Sequence, residues 1–259
     1  MSVSERSILY ALLALASAAA WWATYLQAPE PAALGPYFLD PQLAQAWCGI
    51  AAWSAASAAF SFLMWVSMMA AMMLPATVPV VEAVATIATR RSARREPYTP
   101  AFVFVAGYLF AWSGFSAVAA LAQWLIYDVV SYSRGAPNLN LILPGAALLI
   151  AGAYQFTTAK RACMRGCRSP MTFILGEWRE GYGGALQMGF RHGLTCLGCC
   201  WALMFLMLCV SVMDLRWAAA LAIYAAAEKL LPGGDTVIAP AFGLAAILGG
   251  AALIGYVLL

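Results

Sequence analysis

Long apolar runs separated by short polar segments set the pattern of this chain. The first run, residues 8–26, carries Trp21 and Trp22 near its end, where tryptophan marks a membrane–water boundary. It ends on bulky residues and is followed by Gln-Ala-Pro-Glu-Pro, so it reads as a retained anchor and not a cleaved signal. Residues 27–46, with four prolines and Gly35, predict a loop, and residues 47–57 an entry turn or surface helix. A second helix is predicted from residue 58 into the 80s, kinked at Pro75 and Pro79 and closed by Arg90, Arg91, Arg94 and Arg95. Further helices are predicted over residues 101–129, 141–158, 184–213, 217–231 and 237 to the C-terminus, with Pro232-Gly233-Gly234 ending the sixth.

Apolar runs of this length predict an all-α polytopic membrane bundle of about seven transmembrane helices, with six spans plus a half-helix as the alternative because the sixth is short. The bundle reads as a single membrane domain, residues 1–259, with one polar insert at residues 160–182. In that insert Met171, Ile174 or Leu175, Trp178 and Tyr182 fall on one face at helical spacing, which predicts a short interfacial helix. Basic residues set the orientation. With the N-terminus in the cytoplasm, the inner segments hold Arg6, the four arginines at 90–95, Lys160, Arg161, Arg165, Arg168, Arg179, Arg191 and Lys229, twelve in all, against Arg134 and Arg216 outside. The C-terminus is then outside.

Composition narrows the classes. The chain is 64% hydrophobic and 10% charged, where a soluble domain carries about 25% charged residues. No run alternates over about ten residues as a β-barrel strand does. A net charge of +3 without a basic, aromatic-interleaved stripe excludes a nucleic-acid partner. No Walker loop, nucleotide fingerprint or serine-nucleophile arrangement is present, and a single histidine limits any triad. The lipid bilayer is the first partner.

The candidate chemistry is concentrated in residues 191–207, RHGLTCLGCCWALMFLM. His192, Cys196, Cys200 and Met204 are spaced by four, and Cys199 and Met207 lie three or four residues from members of that row, so one helical stripe carries nitrogen, thiol and thioether donors. Thiolate and thioether suit Cu(I), while cysteine with histidine can equally hold zinc. Against this stands ordinary packing, since buried cysteine is a small hydrophobe and methionine a flexible filler. The second helix supplies two more rows, Met64, Met68 and Met72, and Met69 and Met73. In an antiparallel arrangement Met72 and Met73 fall in the same membrane half as Cys196–Cys200. Cys163 and Cys167 stand among Lys160, Arg161, Arg165 and Arg168, whose charge favours thiolate. Cys48 and Cys209 read as packing residues. Cys196-Leu-Gly-Cys199 is also the spacing of thiol–disulfide exchangers. Glu228 and Lys229 read as an ion pair anchoring the sixth helix at the inner surface.

The segments MWVSMMAAMMLP at 64–75, Lys160-x2-Cys163-x3-Cys167-x2-Pro170, MGFRHGLTCLGCCWALM at 188–204 and Glu228-Lys229 with Pro232 together resemble a bacterial family described as predicted metal-binding integral membrane proteins, some labelled copper chaperone. The resemblance spans roughly residues 55–235 and implies helical membrane architecture and a metal, copper first. The resulting expectation is a multi-pass inner-membrane protein that holds or relays Cu(I), with zinc as the alternative ion. Cys196, Cys199, Cys200 and His192 are the expected primary ligands, Cys163 and Cys167 a donor or acceptor pair, and Met68, Met69, Met72, Met73, Met204 and Met207 relay ligands. A copper-dependent enzyme or a soluble metallochaperone is the expected partner. Two other classes stand beside it: a membrane thiol–disulfide oxidoreductase using Cys196 and Cys199, and a non-metal scaffold or small-molecule transporter.

Overall fold

In a computed structural model, the described residues are 3–27, 55–94, 99–132, 139–210 and 215–258, and they form helices with no strand among them. The helices are α1 (Val3–Gln27), α2 (Ala55–Ser92), α3 (Ala101–Tyr132), α4 (Leu139–Tyr154), α5 (Thr158–Arg168), α6 (Pro170–Glu177), α7 (Gly181–Val210), α8 (Leu215–Leu230) and α9 (Ala239–Leu258), with a π-helical turn at Gly234–Ile238. The loop and turn expected between residues 28 and 54, Cys48 included, lie outside the described residues, as does the side chain of Cys209.

Five helices are long and apolar enough to cross a membrane, or up to six if the bent pair Ile142–Tyr154 and Thr158–Arg168 is one span. The expected seven count α4 and α8 as separate spans, and each has only 16 residues, short of the ~20 that match the hydrocarbon core. The five long helices define a multi-pass membrane protein. Their outward faces are apolar: Leu12, Leu15, Phe102, Phe110, Val118 and Leu248 are all exposed, as lipid-facing side chains must be.

The second predicted helix is one continuous α2 with Pro75 and Pro79 inside it. Each proline lacks the N–H that would bond the carbonyl one turn earlier, yet the helix runs through both. Glycines set the close crossings. At Gly189 of α7 a side-chain carbon would stand 1.9 Å from the Phe104 carbonyl oxygen of α3, so only a hydrogen fits. Gly152 of α4 and Gly243 of α9 meet the same way, each against the other's carbonyl, as do Gly145 and Gly250 one end further along. In lipid, such small-residue contacts let dispersion hold helices together.

The insert differs from its expected form. The chain bends by 67° after α4. Thr157 caps α5, accepting a hydrogen bond from the Lys160 N–H, which satisfies an otherwise orphaned donor. Pro170 then starts α6. Two short helices therefore replace the single interfacial one. The face expected to hold Met171, Trp178 and Tyr182 is divided: Trp178 caps α6, Tyr182 lies in α7, and the buried residues of α6 are Phe173 and Ile174. α5 packs on α7 and also touches α8, and α8 packs on α2.

The core has two parts. Leu13, Val80, Val81, Val84, Phe104, Phe173, Ile174 and Met188 form an apolar cluster. The larger cluster contains Met64, Met68, Met69, Met72, Met73, Met204 and Met207 together with Cys167, Cys196, Cys199 and Cys200. The two sulfur-bearing helices thus share one interior with the insert.

Candidate metal centre

The site begins with the approach of α5 to α7. Gly198 leaves room for it: a side-chain carbon there would lie 2.6 Å from Cys163 Sγ. Cys163 and Cys167 are four apart and so lie on the same face of α5. This brings Cys167 Sγ to 3.7 Å from Cys199 Sγ. Cys167, Cys196 and Cys199 are all buried, and their sulfurs lie within 4.8 Å of one another. Half-buried Cys163 stands beside this trio. Cys200 turns back along its own helix, donating to the Cys196 carbonyl at 2.9 Å, and its sulfur lies 4.0 Å from Met73 Sδ of α2.

Two polar side chains converge on Cys196. The Tyr108 hydroxyl lies 3.2 Å from Cys196 Sγ and donates to the Met73 carbonyl at 3.3 Å. It has one proton for these two neighbours, so a protonated Cys196 donates to it, and a thiolate would draw its proton away from Met73. Lys229 Nζ donates to Cys196 Sγ at 3.0 Å and to Met73 Sδ at 3.6 Å.

Glu228 and Lys229 therefore do not form the expected ion pair. Consecutive helix residues point about 100° apart, and these two serve different neighbours. Glu228 pairs with Lys160 of α5, both being almost fully buried, and Lys160 also donates to Gln155. Arg168 donates to the carbonyls of Glu228 and Leu231, each at 2.8 Å, and pairs with Asp235 at 3.3 Å. Arg161 donates to the Phe156 carbonyl. These three basic groups of α5, expected to act on its thiols, instead fasten α5 to α8 and the preceding turn. The cation beside the thiols is Lys229, from another helix.

His192 precedes Cys196 by one turn and sits among rings. Its centroid lies 5.8 Å from Phe104, 5.8 Å from Tyr108 and 4.9 Å from Phe173. It is buried, and its Nδ1 has no hydrogen-bond partner among the described residues. Met68, Met69, Met72, Met73, Met204 and Met207 are all buried in the shared core. The sequence gives no sign of Tyr108, one aromatic among many in α3, and it pairs Lys229 with Glu228 rather than with the thiols that Lys229 meets in the fold.

Five apolar spans around a buried cysteine cluster define a multi-pass membrane protein with a group that can hold a metal ion. Residues 62–253 match a family model described as PpoB2, copper chaperone, and the chain belongs to that family. No curated protein and no solved structure matches the chain.

Proposed function

We propose that this protein is a membrane-embedded Cu(I) carrier that holds copper and passes it on for metalloenzyme assembly or copper homeostasis. The observation that supports this most is the buried trio Cys167, Cys196 and Cys199. Three sulfurs at about 2.3 Å from a shared ion stand about 4 Å apart, and Cys167 and Cys199 are already separated by 3.7 Å. Soft sulfur donors favour Cu(I), although three thiolates with a fourth donor would also serve zinc. His192, with its unpartnered buried nitrogen, is the candidate additional donor.

Transfer would use the remaining sulfurs. Cys200 is 4.0 Å from Met73, and Met68, Met69, Met72, Met204 and Met207 extend the thioether supply through the same core. Cys163, the least buried of the central thiols, is the candidate point of exchange with a soluble metallochaperone or a copper-dependent enzyme. The reading includes a bacterial inner-membrane location, the N-terminus in the cytoplasm, one membrane domain over residues 1–259, and residues 160–182 on the cytoplasmic side.

The test is Cu(I) titration of the reduced protein in detergent against a chromophoric Cu(I) chelator. Wild type should hold one tightly bound ion, and the Cys167→Ser, Cys196→Ser, Cys199→Ser triple variant none. Reduced wild-type protein that holds no copper above background would end this reading. One contact favours a second reading, thiol–disulfide exchange: Cys167 and Cys199 would need to close from 3.7 Å to about 2.05 Å with an oxidised partner disulfide accepting the electrons. That reading requires a Cys167–Cys199 disulfide trapped in cells by rapid alkylation.

A further inference from the structure

Lys229 is an unusual neighbour for a cation site. Its ammonium is buried and donates to Cys196 Sγ at 3.0 Å and to Met73 Sδ at 3.6 Å. A buried positive charge needs an anion. The adjacent carboxylate does not supply it, because Glu228 is engaged by Lys160 of α5. Among the described residues, the hydrogen-bond partners of Lys229 are both sulfur atoms, and only the thiol can become an anion. The charge of Lys229 therefore belongs to the sulfur cluster, where it acts on whatever ion the cluster holds.

That fixed charge has opposite effects on ligands and cargo. It stabilises thiolate at Cys196 by direct contact. It repels a bound cation, in proportion to the cation's charge, at a distance of a few ångströms and with little water to screen it. The penalty on a divalent ion is therefore twice that on a monovalent ion, while the benefit to the thiolate is the same for both. With the three thiolates of the cluster, Lys229 offsets one negative charge of the ligand set; without it the set is more negative, and that added field attracts a divalent ion twice as strongly as a monovalent one.

We propose that Lys229 is the specificity-determining residue of this centre, tuning the Cys167–Cys196–Cys199 cluster toward a monovalent soft ion and against divalent zinc. The proposal rests on the metal-carrier reading and deepens it. Tyr108 and Met73, which also face Lys229 Nζ or Cys196 Sγ, are neutral groups and leave this balance to the lysine.

The experiment measures the affinities of full-length, reduced protein in detergent for Cu(I) and for Zn(II) separately, in wild type, Lys229→Leu and Lys229→Arg. The readout is the ratio of the two affinities. In Lys229→Leu, which adds no donor atom, the ratio should move toward zinc by about tenfold or more, as expected for removing one charge at this distance. Lys229→Arg keeps the charge and should keep the ratio within about threefold of wild type. A ratio in Lys229→Leu equal to wild type overturns the proposal, even if both affinities fall together, because loss of structure lowers both. If Lys229→Leu does not fold, Lys229→Gln carries the same expectation. Wild-type protein that binds neither ion through the three cysteines overturns the carrier reading itself, a result distinct from an unchanged ratio.

Discussion

The ion pair of Lys160 and Glu228 is 2% and 1% exposed and joins α5, which carries Cys167, to α8. Glu228→Gln or Lys160→Met leaves one charge buried without its partner. Breaking a buried pair in this way costs about 3–5 kcal/mol. Other contacts survive in part, since Gln155 still accepts from Lys160 in Glu228→Gln and Arg168 still bonds the backbone carbonyl of residue 228 in both variants, so each single change should cost about 3 kcal/mol. For a chain of this size that lowers the melting temperature by roughly 6–12 °C. The double variant Lys160→Met with Glu228→Leu removes both charges, fills the space with apolar atoms, and should recover most of the loss. Thermal unfolding in detergent, followed by tryptophan fluorescence, gives the melting temperatures. Maleimide labelling of Cys167, read by mass spectrometry well below the transition, reports whether α5 has loosened. The single variants should label faster than wild type, and the double variant should return toward it. Single variants melting within about 2 °C of wild type, or a double variant no more stable than either single, would refute the reasoning.

Two further outcomes follow from packing. Gly189→Ala places a carbon 1.9 Å from the Phe104 carbonyl; neither backbone can yield, so α3 and α7 must part, at a cost above about 3 kcal/mol, seen as loss of monodisperse protein in size-exclusion chromatography. Met73→Leu conserves volume and should change stability by less than about 1.5 kcal/mol, while Cu(I) stoichiometry stays at one and release of the ion to a competing chelator, followed by stopped-flow absorbance, slows several-fold.

Much of this arrangement is written in local spacing. The four-residue interval of Cys163 and Cys167 puts both thiols on one face of α5, and the antiparallel run of the second and fifth predicted helices places Met73 near Cys200, where they lie 4.0 Å apart. What spacing does not contain is the choice of neighbour. His192 shares its row with Cys196, yet its ring lies among Phe104, Tyr108 and Phe173, which come from two other elements. Glu228 and Lys229 are adjacent in sequence and of opposite charge, but the helix turns them toward different helices, and only the positions of α5 and α7 decide what each meets. The 67° bend before α5 interrupts the helix expected over residues 141–158, where Thr157 caps a new helix. Its consequence, that Cys167 folds back over Cys199, depends on contacts far along the chain.

The glycine contacts between α4 and α9 restrict the sequence in a different sense from the cysteines. Gly145 and Gly152 are seven residues apart, as are Gly243 and Gly250, and any side-chain carbon at these four positions would come within 2.6–3.0 Å of an atom on the facing helix. These positions are therefore restricted by space alone, with no metal or proton involved. Substitution there would abolish function by displacing α9 from α4, and in a survey of tolerated mutations it would be indistinguishable from loss of Cys196. Intolerance to change measures necessity in this protein; the chemistry must be read from which atoms are within reach of one another.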